Sequence, residues 1–92
     1  MENAEIIDVL NDIATLLRTK KENIFKIRAY ERVAKTIAEM DVDVEQLARE
    51  NRLKEIPGIG EAIDKKITEL VTTGKLQYYE NLKSEISAAE TD

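Results

Sequence analysis

The sequence predicts an all-α fold, a compact bundle of four main helices plus short connecting helices. Apolar residues recur three and four positions apart in four separate segments, which is the period of a helix with one buried face. No segment alternates apolar and polar residues for long enough to form a strand. The only proline and two of the three glycines fall within one stretch, "PGIG", so little interrupts the helical pattern elsewhere.

The first half of the chain predicts two amphipathic helices. Residues 3–18 place their apolar side chains on one wide stripe and turn Asp8 and Asp12 outward. The second helix spans roughly 24–39, with Asn23 as its N-cap. Its predicted buried face consists of Ile24, Ile27, Ala34, Ile37 and Ala38.

The second half predicts shorter elements. Asp43 caps one or two helical turns, and a short turn in "NRLKEI" ends at Pro57. A longer helix covers about 61–73, with Gly74 as its left-handed C-terminal residue. The last helix covers about 76–87, and the polar end "SAAETD" is either a natural tail or the place where a longer chain was cut. The residues that this last helix buries are Leu76, Tyr79, Leu82 and Ile86.

Length and composition restrict the chemistry. A chain of 92 residues forms one domain, 1–92, because smaller pieces do not bury a stable core without disulfides or metals. The absence of cysteine and histidine excludes a zinc finger, a thiol nucleophile and a histidine base. No apolar run approaches the roughly 20 residues of a membrane span. We expect a soluble cytoplasmic monomer that does not contact membranes.

The charge is unevenly distributed. The net charge of −5 argues against a nucleic-acid partner when the chain is taken as a whole. Residues 18–35 nevertheless form a basic island within an acidic chain. Such an island is either a solvated helix face or a contact surface for an anionic partner.

The "PGIG" stretch lies between two helical segments. Pro57 fixes φ, while Gly58 and Gly60 permit a positive φ or a close backbone approach. One interpretation is a plain turn, for which one glycine suffices. The other is an anion site, since two glycines before a helix leave backbone N–H groups unshielded at the positive end of the helix dipole. Ile59 then plugs the hairpin into the core.

The residues from "LKEIPGIG" to "EAIDKKITELV" resemble a helix-hairpin-helix DNA-binding motif at about 52–73. Together with "FKIRAY" before the motif and "TGKL" after it, they resemble the amino-terminal, lyase-type domain of the X family of DNA polymerases, the polymerase beta-like family. The resemblance extends over most of the chain. It implies sequence-independent binding to gapped, nicked or 5′-phosphate-bearing DNA, in DNA repair.

The resemblance also implies site residues. In that family a lysine of the second hairpin helix attacks the sugar aldehyde of a cleaved abasic site, and the matching residue is Lys66. The other positions of the lyase pocket match Lys26, Tyr30 and Lys54. The family binds a sodium or potassium ion through backbone carbonyls that correspond to Lys54, Ile56 and Ile59, so no cofactor beyond this cation is implied. Tyr30 is equally interpretable as an aromatic residue at the core edge.

Helical geometry distinguishes Lys66 from its neighbour. At about 100° per residue, Lys65 lies opposite the face of Ile63 and Ile67, whereas Lys66 lies at the edge of that face. Partial burial there lowers the pKa of an amine toward the neutral nucleophile that imine chemistry requires. The alternative is a lysine that packs its stem at a helix boundary and does no chemistry.

Three positions depart from the family pattern. Phe25 replaces a histidine, and Ala62 and Tyr78 replace basic residues, which weakens the expected phosphate site and puts the lyase activity in doubt. Phe25 can instead stack on a base. The stripe Arg28, Arg32 and Lys35 either offsets the lost charge or is solvated.

Three functional interpretations therefore stand beside each other. In the first, the chain is a DNA-binding module that contacts DNA through Gly58, Ile59, Gly60 and a basic face. In the second, it is also a 5′-deoxyribose-phosphate lyase. In the third, it is a protein-interaction module that uses its acidic first and last helices. No polymerase active site is present in the sequence. The chain is therefore either the excised first domain of a nucleotidyltransferase, with polymerase domains in cis, or a free-standing relative.

Overall fold

The computed structural model describes residues 1–90, with side chains up to residue 88, and all of its regular elements are helical. Its helices are α1 (Asn3–Thr19), α2 (Ile24–Glu39), α3 (Val44–Arg49), α4 (Glu61–Thr73) and α5 (Gln77–Glu90), with a 3₁₀ turn at Leu53–Glu55. The predicted all-α class is confirmed, and the described residues contain no strand. Positions 91–92 of the predicted domain and tail lie outside the described residues.

Local signals in the sequence set the helix ends. The Asn23 side chain accepts a hydrogen bond from the Phe25 N–H at 2.8 Å, and the Asp43 side chain accepts one from the Gln46 N–H at 3.3 Å. Gly74 has φ +78° and ends α4 in the left-handed conformation. These predicted caps are confirmed because each depends on side chains or backbone freedom within one helical turn.

The core lies between a helical pair and the hairpin elements. α1 and α2 pack together along their length, α5 returns against α1, and α3 packs on α4. Asn3 joins the start of α1 to that of α3, since its side-chain amide donates to the Val42 carbonyl and accepts from the Val44 N–H. The core of the protein is aliphatic apart from one tyrosine. Its largest fully buried side chains are Ile6, Leu10, Ile13, Leu17, Ile27, Ile37, Leu53, Ile56 and Ile67.

The predicted buried face of α2 is wrong at both ends. Ile24 is 38% exposed and Ala38 is also exposed, while Tyr30 and Val33 are buried. The buried residues of α2 centre on one direction, and at about 100° per residue Ile24 lies roughly 120° from it and Ala38 roughly 80°. The middle of the helix therefore supplies the core.

The prediction for the last helix is partly wrong. Leu76 and Leu82 are buried, but Tyr79 and Ile86 are only half-buried. α5 packs mainly on one neighbour, α1, so it has a narrower covered face. The Tyr79 hydroxyl donates to the Asp12 carboxylate at 2.6 Å, which keeps the tip of that ring at the surface.

Among the described helices, none is long and apolar enough to cross a membrane.

Candidate nucleic-acid interface

The hairpin is anchored by three buried aliphatic side chains. Leu53, Ile56 and Ile59 are each at most 6% exposed, while Pro57 and Gly58 lie at the surface between them. The Ile59 N–H donates to the Ile56 carbonyl at 3.2 Å and closes the turn. The predicted burial of Ile59 is confirmed, and this anchoring fixes the backbone that precedes α4.

The two hairpin glycines have different roles. Gly58 has φ +93°, a conformation that side chains with a Cβ atom rarely adopt. Gly60 is extended, so its φ does not require glycine, but a Cβ atom there would meet no atom within 4 Å. Gly58 therefore makes the turn, and Gly60 leaves open space in front of the first turn of α4.

The N-terminus of α4 differs from those of α2 and α3. Gly60 is its N-cap and provides no side-chain hydrogen bond, whereas Asn23 and Asp43 cap the other two helices. The Gly60 carbonyl accepts the Asp64 N–H at 3.0 Å, and no described hydrogen bond engages the N–H groups of positions 61–63. Unpaired N–H groups at a helix start attract anions, and open space beside them admits one.

Helix α2 brings its basic stripe to the hairpin. A Cβ atom at Gly58 would lie 3.5 Å from the Val33 Cγ2 atom and 4.0 Å from the Arg32 Cδ atom. Val33 is buried and Arg32 is exposed, so the hairpin sits over the middle of α2 with the Arg32 stem beside it. Arg28 and Lys35 are exposed as well. The structure thus places the predicted stripe next to the predicted hairpin site.

The basic side chains of this surface lack carboxylate partners. Within the described residues, no ion pair forms at Lys26, Arg28, Arg32, Lys35 or Lys66. Seven other cations are each paired with a carboxylate: Arg18, Lys20, Arg49, Arg52, Lys54, Lys65 and Lys83. We use the name basic face for these five unpaired residues together with the hairpin: Lys26 and Lys66 lie over Tyr78, and the stripe Arg28, Arg32 and Lys35 lies on another side of α2.

Lys54 is engaged across the hairpin. Its ammonium pairs with the Glu61 carboxylate, which also lies 3.8 Å from the Lys65 ammonium. The hydrogen bond to Glu61 raises the pKa of Lys54, and the same bond lowers the pKa of Glu61. The predicted contact of Lys54 with DNA therefore requires that Glu61 releases it.

Lys66 has a different environment from Lys65. Lys65 is exposed, as predicted, while Lys66 is half-buried at the edge of the α4 core face. Burial is the main cause that lowers the pKa of Lys66, and the Lys26 charge lowers it further, against a smaller opposite effect of Glu69. The structure thus brings Lys26 and Lys66 together, on α2 and α4.

A pair of tyrosines lies beneath these two lysines. The Tyr78 ring centroid is 4.6 Å from the Lys66 Nζ atom and 5.5 Å from the Lys26 Nζ atom. Tyr30 stacks on Tyr78 with centroids 6.5 Å apart. Tyr30 is 3% exposed, and burial together with the nearby Tyr78 raises the pKa of its hydroxyl. Its place is that of a core aromatic, and its role as a DNA contact stays a prediction.

Two apolar side chains stand at the start of α2. Phe25 is 75% exposed and Ile24 is 38% exposed, and they are the exposed large hydrophobic residues of the described chain. Both lie beside Lys26 in sequence. An aromatic ring at the end of a basic face is suited to stack on an unpaired base.

Tyr78 is the site residue that the sequence did not reveal as a contact. The sequence pattern indicates at this position only the loss of a basic residue. The available signal is the pair "YY" at 78–79. Adjacent helical residues point about 100° apart, so the two tyrosines must contact different parts of the protein, and one of them can face the neighbouring helices.

The candidate ligands for a metal ion are backbone carbonyl oxygens of the hairpin. In residues 1–90 no group of three or more acidic, histidine or cysteine side chains is arranged to hold a metal ion. Carbonyl oxygens are suitable ligands for a hard cation. The Ile56 carbonyl already accepts the Ile59 N–H, which leaves it one lone pair. The carbonyls of Lys54, Ile56 and Ile59 fit such a cation by their chemistry.

A family model described as a helix-hairpin-helix domain matches residues 1–76. The match covers α1 to α4 and the hairpin between them, which is most of the chain. It reports the helix-hairpin-helix fold without distinguishing among the protein families that use it.

Proposed function

This chain belongs to the helix-hairpin-helix domain family, and we propose that it binds DNA without sequence preference, at gaps or 5′ phosphates. Domains of this family generally bind DNA, and the membership is consistent with that activity. The observation that carries the proposal is the uncapped start of α4 at Gly60, which follows two residues after Gly58, and Gly58 lies beside the stem of the unpaired Arg32 side chain.

The absence of sequence preference follows from the ligand. Backbone N–H groups and guanidinium or ammonium groups contact phosphate oxygens, which are the same at every base pair. The exposed ring of Phe25 adds stacking, which every base permits. The preference for a gap or a 5′ end comes from the two lysines Lys26 and Lys66, which can hold a terminal phosphate that carries an additional charge.

The finer assignment rests on the sequence pattern. We propose that the chain acts as the amino-terminal domain of an X-family DNA polymerase in DNA repair, as a monomer, with the polymerase domains in cis. The support is the resemblance carried by "FKIRAY", "PGIG" and "TGKL" in this order. A polymerase active site would then lie in other domains of such a protein.

Binding is tested with a one-nucleotide gapped duplex that carries either a phosphate or a hydroxyl at its 5′ margin. Fluorescence anisotropy at low salt should show binding to both, with tighter binding to the phosphate, and weaker binding to an intact duplex. Log affinity should fall linearly with log salt concentration, by about 0.9 for each phosphate contact on duplex DNA. Absence of binding at low salt contradicts the proposal and favours the protein-interaction module instead.

A second candidate function is a 5′-deoxyribose-phosphate lyase, which the half-buried Lys66 amine favours. The neutral amine attacks the aldehyde carbon of the ring-opened sugar, and loss of water gives an iminium ion. A proton then leaves C2′, and the C3′–O bond breaks with release of the DNA 5′-phosphate. A lowered pKa of Lys66 increases the neutral fraction at a given pH, so the rate should rise with pH and level off above that pKa.

Borohydride trapping tests the lyase. On gapped DNA that carries a 5′-deoxyribose phosphate, the native chain should form a covalent adduct, and Lys66→Ala should lose it. Lys65→Ala is the matched control, because Lys65 is adjacent on α4, exposed and paired with Glu61. An adduct that persists in Lys66→Ala contradicts this assignment, and binding without any adduct leaves the DNA-binding module alone.

We also propose a monovalent cation at the hairpin carbonyls of Lys54, Ile56 and Ile59. When bound, the cation supplies positive charge beside a DNA phosphate. Sodium, potassium and tetramethylammonium at equal ionic strength should then give different DNA affinities. Equal affinities in all three contradict the cation site without affecting the rest of the proposal.

A further inference from the structure

The Tyr78 ring is held in place from the core side. Tyr30, which is buried on α2, stacks on it with the two ring planes 17° apart. The Tyr78 hydroxyl oxygen is buried and makes no hydrogen bond within the described residues. The ring is therefore fixed by packing rather than by its polar atom, and a phenylalanine should occupy the same place.

Two lysine nitrogens from different helices lie over this one ring. Lys66 on α4 approaches to 4.6 Å and Lys26 on α2 to 5.5 Å. A cation within about 6 Å of a ring centroid is attracted by the negative π face. The ring thus attracts two lysines that form no ion pair with a carboxylate within the described residues.

The charged groups around Lys66 are few. Lys26 faces it from α2, and Tyr78 faces it from α5. Lys66 borders a surface recess, and the other charged residues that helix α4 contributes to the lining of this recess are Glu61, Lys65 and Glu69. Glu61 is committed to Lys54, and Glu69 accepts the Gln77 N–H at 2.8 Å. The ring is therefore an attractive group 4.6 Å from the Lys66 nitrogen, with which neither Glu61 nor Glu69 forms an ion pair.

We propose that Tyr78 is a positioning residue for Lys66: its ring fixes the nitrogen at the mouth of the recess and stabilises positive charge there. This inference rests on the lyase as the proposed function of Lys66.

The ring attracts two cationic forms of Lys66, the resting ammonium and the iminium. The resting ammonium is a cation over the ring, and the neutral amine that attacks the aldehyde is not. When the carbon–nitrogen bond forms, the aldehyde oxygen leaves as water with one proton from the amine and one from solution, and the iminium that remains is again a cation. The ring therefore opposes deprotonation of Lys66 and favours the iminium, since both cationic forms lie over it.

The prediction is tested first on the free protein, without DNA. Heteronuclear NMR titration of the Lys66 side chain should show a lower pKa in Tyr78→Leu than in the native chain, which corresponds to a roughly threefold to tenfold change in the ionisation constant. Tyr78→Phe keeps the ring and should retain the native value. Tyr79→Leu is the matched control, because Tyr79 lies on the same helix with its ring 4.3 Å from the Lys83 nitrogen, and it should leave Lys66 unchanged.

A measurement on the native protein keeps the inference testable if the variant Tyr78→Leu does not fold. The Lys66 ε-methylene protons should show an upfield ring-current shift in the native chain and in Tyr78→Phe. Absence of that shift, or an unchanged or raised pKa of Lys66 in Tyr78→Leu, overturns the inference. Loss of the ring should also reduce the amount of trapped iminium several-fold relative to Tyr78→Phe.

The outcomes separate the two proposals. If the Lys66 titration responds to Tyr78 but no adduct forms on DNA, the positioning role holds and the lyase fails. If an adduct forms at Lys66 while its titration and trapping ignore Tyr78, the lyase holds and the positioning role fails.

Discussion

The basic side chains of α2 and most of those elsewhere in the molecule differ in their partners. Lys26, Arg28, Arg32 and Lys35 form no ion pair within the described residues, although the chain has an excess of acidic residues. Arg52, by contrast, contacts two carboxylates at 2.7 and 2.8 Å. Acidic residues thus pair with seven of the cations outside the basic face, and the cations of α2 remain available to an external anion.

This difference assigns separate roles to charge in the two regions. Exposed ion pairs add little stability, about 0–1 kcal/mol each, so the paired cations mainly cancel long-range fields. The unpaired cations leave positive potential without an internal partner, and one of them, Arg32, lies beside the hairpin that precedes the unpaired N–H groups of α4. A net charge of −5 consequently does not prevent DNA binding, because repulsion from the rest of the surface is screened over roughly 10 Å of salt solution.

The largest expected effect comes from neutralising the unpaired stripe. The triple variant Arg28→Gln, Arg32→Gln and Lys35→Gln should bind gapped DNA on the order of 100-fold more weakly, at about 1 kcal/mol for each lost phosphate contact. Fluorescence anisotropy measures the affinity, and the salt slope should become less steep by up to about 2.7.

The matched control neutralises three paired cations, Arg49→Gln, Arg52→Gln and Lys83→Gln. It changes the net charge equally but should alter the affinity less than threefold, because these side chains already face carboxylates. Equal losses in both triples would mean that total charge, rather than the basic face, governs binding.

An intermediate effect is expected from the two glycines with positive φ. Gly58→Ala and Gly74→Ala should each lower the free energy of unfolding by about 1–2 kcal/mol, since their φ values of +93° and +78° strain an alanine to a similar extent. Only Gly58→Ala should also weaken DNA binding, by about tenfold, because only Gly58 adjoins the start of α4 and Arg32. Thermal unfolding and anisotropy give the two quantities separately, and a loss of affinity in Gly74→Ala contradicts the hairpin as the contact point.

The sequence predicted the helices well and the contacts between them less well. Asn23, Asp43 and Gly74 act within one turn of their own helix, so local patterns located those ends. The burial of Ile59 and the half-burial of Lys66 also follow from local periodicity. Ile24 was misassigned because its exposure depends on where α2 meets its neighbours.

The arrangement of the site depends on tertiary contacts that no local pattern encodes. Arg32 lies beside Gly58, and Tyr78 lies beneath Lys66, because the hairpin folds over α2 and α5 returns past α4. The pairing of Lys54 with Glu61 crosses the hairpin in the same way. The family resemblance supplied the identity of the residues, and the fold supplied their mutual distances.

The smallest expected effect tests the border between the paired and unpaired regions. Glu61 is the first residue of α4 and holds Lys54 and Lys65, so its carboxylate occupies cations next to the proposed phosphate site. Glu61→Gln removes that competition and should tighten DNA binding about two- to fivefold at low salt, with the gain disappearing at high salt. Glu45→Gln is the matched control, because Glu45 also holds two cations, the Met1 amine and Arg49, but away from the hairpin. An equal gain in both variants would show that Glu61 contributes only its charge, whereas a gain confined to Glu61→Gln shows that the hairpin cations are held back by an internal anion until DNA replaces it.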